Sequence, residues 1–254
     1  ITVWGVKEIN IDRKPEKQGL KQLKELFKTN KPLRIVLISM LMLEITYGLR
    51  NGFSIYYIKY NFNAEVFIPV VTGISMMSGM LGGLCTPVIT KRIGKRATAL
   101  AGIGVNALGF LSIFILKYSN LPILLVINTI MGLAEGAANI SLASMVADCV
   151  EYGQWKTGKR SEGIIFSSNI FKTKLASALS GALCGYVLAL VGYEANMAQS
   201  AITLNGIHIM YSMVPGIIAI FSIVSLRRYK LTEKEYEYIL EDLKKGETLD
   251  KIAR

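Results

Sequence analysis

The chain has 254 residues, 52% of them hydrophobic, with a mean hydropathy of +0.40 and a formal net charge of +11. A soluble domain rarely combines these properties, so the apolar residues must be segregated into blocks; several charge-poor stretches of around 20 residues, enough to cross a hydrocarbon core, meet that requirement. Cys85, Cys149 and Cys184 are isolated, with no paired spacing and no histidine nearby, so they suggest packing residues rather than a disulfide framework or a zinc site, and no cofactor or metal is expected.

The chain opens Ile1-Thr2-Val3-Trp4-Gly5 and runs directly into a charged segment, as expected of a cut at the end of an upstream helix. Residues 1–32 read as an aqueous loop carrying Lys7, Arg13, Lys14, Lys17, Lys21, Lys24, Lys28 and Lys31. Within it Leu20, Leu23, Leu26 and Phe27 recur at helical spacing, which predicts a short amphipathic helix on the membrane surface. An all-α bundle of six transmembrane helices follows in residues 33–226, with spans at 33–58, 66–90, 97–117, 121–147, 162–192 and 206–226. Asn30 and Pro32 supply a cap and first turn for the first span. Small residues, Gly79, Gly82 and Gly83 in the second span and Gly181, Ala182 and Gly185 in the fifth, predict close helix approach.

The basic residues alternate between loops. Lys91, Arg92, Lys95 and Arg96 share one, Lys156, Lys159 and Arg160 another, and Arg227, Arg228 and Lys230 follow the last span, whereas the other loops carry only Lys59 and Lys117. By the positive-inside rule both ends of the chain are expected in the cytoplasm, and the charge needs no nucleic-acid partner because anionic lipid would accompany it. In the tail, residues 227–254, Thr232 and Glu235 form a capping-box pattern, and Tyr236, Ile239, Leu240 and Leu243 share one face, so a cytoplasmic amphipathic helix is predicted.

Ionisable residues inside a membrane each need an explanation, and five occur here: Glu44, Arg50, Glu135, Lys172 and Lys174. At roughly 1.5 Å of rise per residue, Glu44 and Lys174 lie near the midplane. Lys172 and Lys174 point about 200° apart on a helix, so one is expected at a substrate while the other pairs with Glu44 or Glu135. Arg50 is expected to snorkel outward. Buried structural ion pairs remain the other reading of all five.

Phe53, Tyr56, Tyr57, Asn139, Ser168 and Asn169 are of the types a sugar site uses, an apolar face for stacking and amides or hydroxyls for hydrogen bonds, though such aromatics also serve packing. The lone His208, near a predicted helix start, reads as interfacial rather than as a proton relay. The stretch Asp148 to Glu162 is read as a loop whose acids, bases and aromatics suit charge pairs across a gate. No nucleophile, base and orienting group occur together, so an enzyme is not expected.

That stretch, with Ala147-Asp148, Glu151-Tyr152-Gly153, Trp155-Lys156-Thr157-Gly158, Arg160 and Glu162-Gly163, resembles the signature of the glycoside-pentoside-hexuronide:cation symporters. The resemblance continues through Arg50-Asn51-Gly52-Phe53, Tyr56-Tyr57, Lys174, Gly192-Tyr193 and Leu231-Thr232-Glu233 and covers nearly the whole chain. It implies the second half of a major-facilitator transporter in a bacterial inner membrane, with partners in a sugar, a Na+ or H+ coupling cation, the lipid bilayer and a six-helix N-terminal half. The cation-binding carboxylates of the family belong to that first half.

The resemblance places Lys174 at the family's functionally important eleventh-helix lysine and Asn169 where a member has a sugar-contacting glutamine, with Ile170 and Thr173 beside them. Asn139 falls where a member has a tryptophan lining the sugar site. Asp148, Glu151 and Arg160 match loop residues that pair with the first half in the outward-facing state, while Lys172 has no charged counterpart. A related symporter for a non-sugar substrate and a non-transporting sensor or scaffold on the same fold stay open as alternatives.

Overall fold

The computed structural model describes residues 26–248. Leu20 and Leu23 of the expected amphipathic helix lie outside the described residues; Leu26 to Thr29 are helical. Eight α-helices follow: α1 Lys31–Tyr56, α2 Ile68–Ile93, α3 Lys95–Leu116, α4 Leu121–Thr157, α5 Glu162–Leu190, α6 Ala201–Tyr211, α7 Met213–Leu226 and α8 Glu233–Lys244. Six helical segments, with α6 and α7 counted together, are long and apolar enough to cross a membrane, so the chain is an all-α multi-pass membrane protein.

Local sequence explains the helix ends. Asn30 caps α1, its Oδ1 accepting from the Leu33 amide at 3.1 Å, while its Nδ2 donates to the Cys149 carbonyl at 2.7 Å and so fixes the start of α1 to α4. One π-helical turn, Tyr57–Asn61, extends α1. Gly94, at φ +85°, is the single residue joining α2 to α3, a conformation suited to glycine. The Glu233 carboxylate accepts from the Lys95 amide at 2.6 Å and places an anion at the N-terminus of α3. Asn120 and Pro122 begin α4 in the same manner as Asn30 and Pro32 begin α1.

Three elements depart from the sequence reading. The fourth span runs on to Thr157, 37 residues or roughly 55 Å, well beyond a hydrocarbon core of about 30 Å, so the expected gate loop is mostly helix. Its connector to α5 is only residues 158–161, begun by Gly158 at φ +68°. The sixth span starts at Ala201 and breaks at Ser212, three residues before Pro215, whose ring clashes with the carbonyl four residues earlier, that of Tyr211. The tail helix is present as expected, with its reciprocal Thr232–Glu235 capping box and Ile239 buried.

Packing orders the six spans into a ring with two outriders. α1, α4, α3 and α7 pack in sequence around the ring; α2 lies along α4, and α5 lies along α1. Ser39 and Ser222 exchange hydroxyl-to-carbonyl bonds between α1 and α7 at 3.4 and 3.0 Å, which satisfies polar groups without water. At the α2–α4 contact a methyl on Gly82 would meet the backbone of Leu133, and one on Gly136 would meet the Gly79 carbonyl, so the second-span glycines do permit close approach. Those of the fifth do not: nothing described lies within 4 Å of a Cβ on Gly181 or Gly185. Only 17% of the apolar window is buried in α2 and in α5, against 56% for α1, which leaves the two outriders largely uncovered.

His208 packs against the last turn of α3. It is buried in the last turn of α6, with Nδ1 3.2 Å from the Tyr57 hydroxyl, Nε2 3.2 Å from the Phe114 carbonyl and its ring stacked on both aromatics. The cysteines are free thiols: Cys149 is a core residue, Cys184 is half-buried and Cys85 is exposed, so only the first is enclosed by packing.

Candidate functional site

Residues 44 and 50 lie 240° apart around α1, so this central helix presents Glu44 towards α5 and Arg50 towards α4 and α2. On the first side Glu44 Oε1 accepts from Lys172 Nζ at 2.6 Å, and Thr173 Oγ1 lies 3.2 Å from the same oxygen. Lys172 is thus the lysine that pairs, burying its charge against α1. Lys174 points to the opposite side of α5, exposed, and no ion pair of it occurs among the described residues. Ile170 shares that exposed side, whereas Asn169 is half-buried next to Thr173, whose hydroxyl also lies 3.2 Å from the Asn169 carbonyl.

On the other side Arg50 does not snorkel. Its guanidinium is buried and joins three helices: Nη1 donates to Glu135 Oε2 at 3.1 Å, and Nη2 to Asn128 Oδ1 at 2.8 Å and to Ser75 Oγ at 3.3 Å. Charged and polar partners are at hand on α2 and α4, and the inward geometry satisfies the guanidinium with them. Asn139 lies one helical turn beyond Glu135 on α4 and is half-buried.

Asn128 and Ser75 were not singled out in the sequence, although Asn128 precedes Glu135 by seven residues and therefore shares its helix face. Phe53 and Tyr57 are fully buried core aromatics, and Ser168 bonds the Ile164 carbonyl at 2.7 Å inside α5, so none of the three faces a cavity. Tyr56 is half-buried, edge-on to Tyr193. Glu44 Oε2, Asn169 Oδ1, Tyr47 Oη and Asn128 Nδ2 are buried without a hydrogen-bond partner among the described residues. Such groups cost stability until something supplies a partner.

At the basic end, Lys95 Nζ reaches both Asp148 oxygens at 2.7 Å. Arg160 bonds Glu162 at 3.0 Å, Gln154 at 3.1 Å and Glu151 at 3.5 Å. Asp148, Glu151 and Arg160 therefore gather on one side of the α4–α5 turn, paired within this chain, and Lys95 joins them as a partner that sequence spacing did not reveal. Burial, followed by the charges of Glu151 and Asp148, pushes the Tyr236 hydroxyl up to about 12, so its ring serves there as a neutral neighbour of Lys95.

A family profile described as MFS/sugar transport protein matches residues 1–233. The chain is 32% identical to the uncharacterized symporter YjmB of Bacillus subtilis over 90% of this chain and 50% of that protein. It is 35% identical to the isoprimeverose transporter of Lactiplantibacillus pentosus over 87% of this chain and 45% of that protein. It is 29% identical to the glucuronide carrier protein homolog of Escherichia coli, over 85% and 48% respectively. The chain spans about half the length of the curated relatives it matches.

Proposed function

The chain belongs to the MFS/sugar transport protein family, and from that premise we propose that it is the C-terminal half of a symporter that imports a glycoside, pentoside or hexuronide with Na+ or H+. The observation that carries this reading is the uncovered front of the bundle. Exposed Lys174, half-buried Asn169 and Asn139, and the unpartnered atoms of Glu44 and Tyr47 occur on elements that flank it. A six-helix N-terminal half would cover α2 and α5 and close a central cavity near the midplane, the depth usual for substrate sites in secondary transporters.

In that arrangement Lys174 reaches the cavity as a free cation and hydrogen-bond donor, and Asn169, Thr173 and Asn139 offer amide and hydroxyl contacts to sugar hydroxyls, with Ile170 alongside. Glu44–Lys172 and Arg50–Glu135 hold α5 and α4 on α1, so the half moves as one body during alternating access. Asp148, Glu151 and Arg160 lie where pairs with the other half would close the cytoplasmic side. The basic residues at the ends of α2, α4 and α7 support, by the positive-inside rule, an orientation with both termini of the chain on the cytoplasmic side of a plasma membrane. The coupling cation would bind mainly in the N-terminal half.

The test uses the full-length protein in cells and in proteoliposomes. Cation-dependent sugar uptake is expected, and Lys174→Ala should abolish it at unchanged membrane level. Absence of cation-dependent uptake of any sugar, with the protein folded in the membrane, sinks the proposal.

A further inference from the structure

A cavity of about 360 Å³ opens at the basic end of the bundle, between the start of α1, the end of α4, the residues after α7 and the tail helix α8. That volume falls in the range of roughly 300–1,000 Å³ typical of ligand sites. Its lining is mainly apolar: Ile35, Tyr152, Trp155, Leu231 and Ile239. Three exposed bases, Lys31, Arg228 and Lys230, complete it together with two acids.

The acids are already engaged. Asp242 accepts from the Trp155 indole at 3.0 Å, and Glu235 accepts from the Thr232 amide at 2.8 Å in the capping box. The three bases make no side-chain hydrogen bond or ion pair among the described residues, so the unspent charge of the cavity is positive. The chain's own segment 1–25 sets six bases, Lys7, Arg13, Lys14, Lys17, Lys21 and Lys24, against four acids, Glu8, Asp12, Glu16 and Glu25, so it is itself net positive and does not complement that charge. Apolar walls, a tryptophan at a helix end and a cationic rim beside membrane-spanning helices instead complement an amphiphile with an anionic head.

We propose that this cavity binds an anionic phospholipid of the surrounding bilayer, with acyl chain against Ile35, Trp155 and Ile239 and phosphate on Lys31, Arg228 and Lys230. Bound there, the lipid bridges α1, α4 and α8 and fixes the tail helix against the bundle. The proposal requires only that the chain sit in a membrane and is independent of what the protein transports.

The full-length protein is reconstituted in bilayers containing brominated phosphatidylglycerol or brominated phosphatidylcholine, and quenching of Trp155 is read as the difference from Trp155→Phe. Phosphatidylglycerol should quench at about a tenfold lower mole fraction than phosphatidylcholine, a preference that two bases near a surface can supply. Arg228→Gln with Lys230→Gln should remove the preference, while Lys91→Gln with Arg92→Gln, exposed bases at the same end, should keep it. Equal quenching by both lipids, or the same loss from both double variants, overturns the proposal. Thermal stabilisation by inorganic phosphate equal to that from phosphatidylglycerol overturns it too, leaving a simple anion site.

Discussion

Glu44 and Lys172 meet at 2.6 Å between α1 and α5, and the lysine is the more buried partner, with 6% of its side chain exposed against 25% for the glutamate. Removing one member of such a pair leaves a charge in a poor solvent and costs about 3–5 kcal/mol, whereas replacing both by apolar groups is nearly neutral. Lys172→Met should therefore lower the thermal midpoint of the full-length protein in detergent, and Lys172→Met with Glu44→Met should restore most of it. Lys174→Met, on the exposed side of the same helix, should leave the midpoint unchanged while removing uptake. A midpoint loss from Lys174→Met equal to that from Lys172→Met would contradict this division of roles.

Arg50 presents a harder constraint, because one guanidinium serves Glu135, Asn128 and Ser75 on two other helices. A lysine ammonium offers a point charge and cannot reproduce the planar fork. Arg50→Lys should recover less than half of the stability lost in Arg50→Ala, and Asn128→Ala alone should cost about 1–3 kcal/mol by leaving a guanidinium N–H unpaired. Thermal unfolding of the three variants in one detergent compares them directly.

Hydropathy made the six spans legible because lipid demands long apolar helices, and the Thr232–Glu235 cap made α8 legible because its geometry is local. The end of α4 was misread since Asp148 to Thr157 is polar, yet a helix leaving the membrane needs no apolar face to continue; only Gly158 stops it. Buried charges announced themselves one by one, but apart from the pairing of one α5 lysine with Glu44 or Glu135 their partners did not. Lys95 and Asp148 are 53 positions apart and Arg50 and Glu135 are 85 apart, so only the packing of α1, α3 and α4 brings them together. Aromatic type alone was equally mute about Phe53 and Tyr57, whose place in the core is set by neighbours on α3 and α6.

The α2–α4 contact yields a steric prediction. A methyl group at Gly82 or Gly136 runs into backbone atoms of the facing helix, which cannot move as a side chain can. Overpacking of this kind typically costs about 1–3 kcal/mol. Gly82→Ala and Gly136→Ala should each lower the thermal midpoint, while Gly73→Ala, with nothing within 4 Å, should not. If all three variants unfold together, close approach of these helices is not what holds α2 in place.

The pairs at the basic end separate stability from rate. Arg160 is 43% exposed and shares Glu151, Glu162 and Gln154, so each contact is weak in water, worth about 0–1 kcal/mol, and readily exchanged. Lys95–Asp148 is tighter, with Asp148 only 10% exposed and both of its oxygens engaged. Arg160→Gln should therefore leave the thermal midpoint within about a degree of the parent, since a change of this size moves it little. If these residues exchange partners with the other half during the transport cycle, the same substitution should change the initial rate of sugar uptake several-fold, and reversing the charge with Arg160→Glu should change it further. Asp148→Asn, by contrast, should lower both midpoint and rate, because it strands Lys95 beside α4. Uptake rates and midpoints measured on the same preparations distinguish the two: if the rate follows the midpoint in every variant, the cluster is a structural clasp and takes no part in gating.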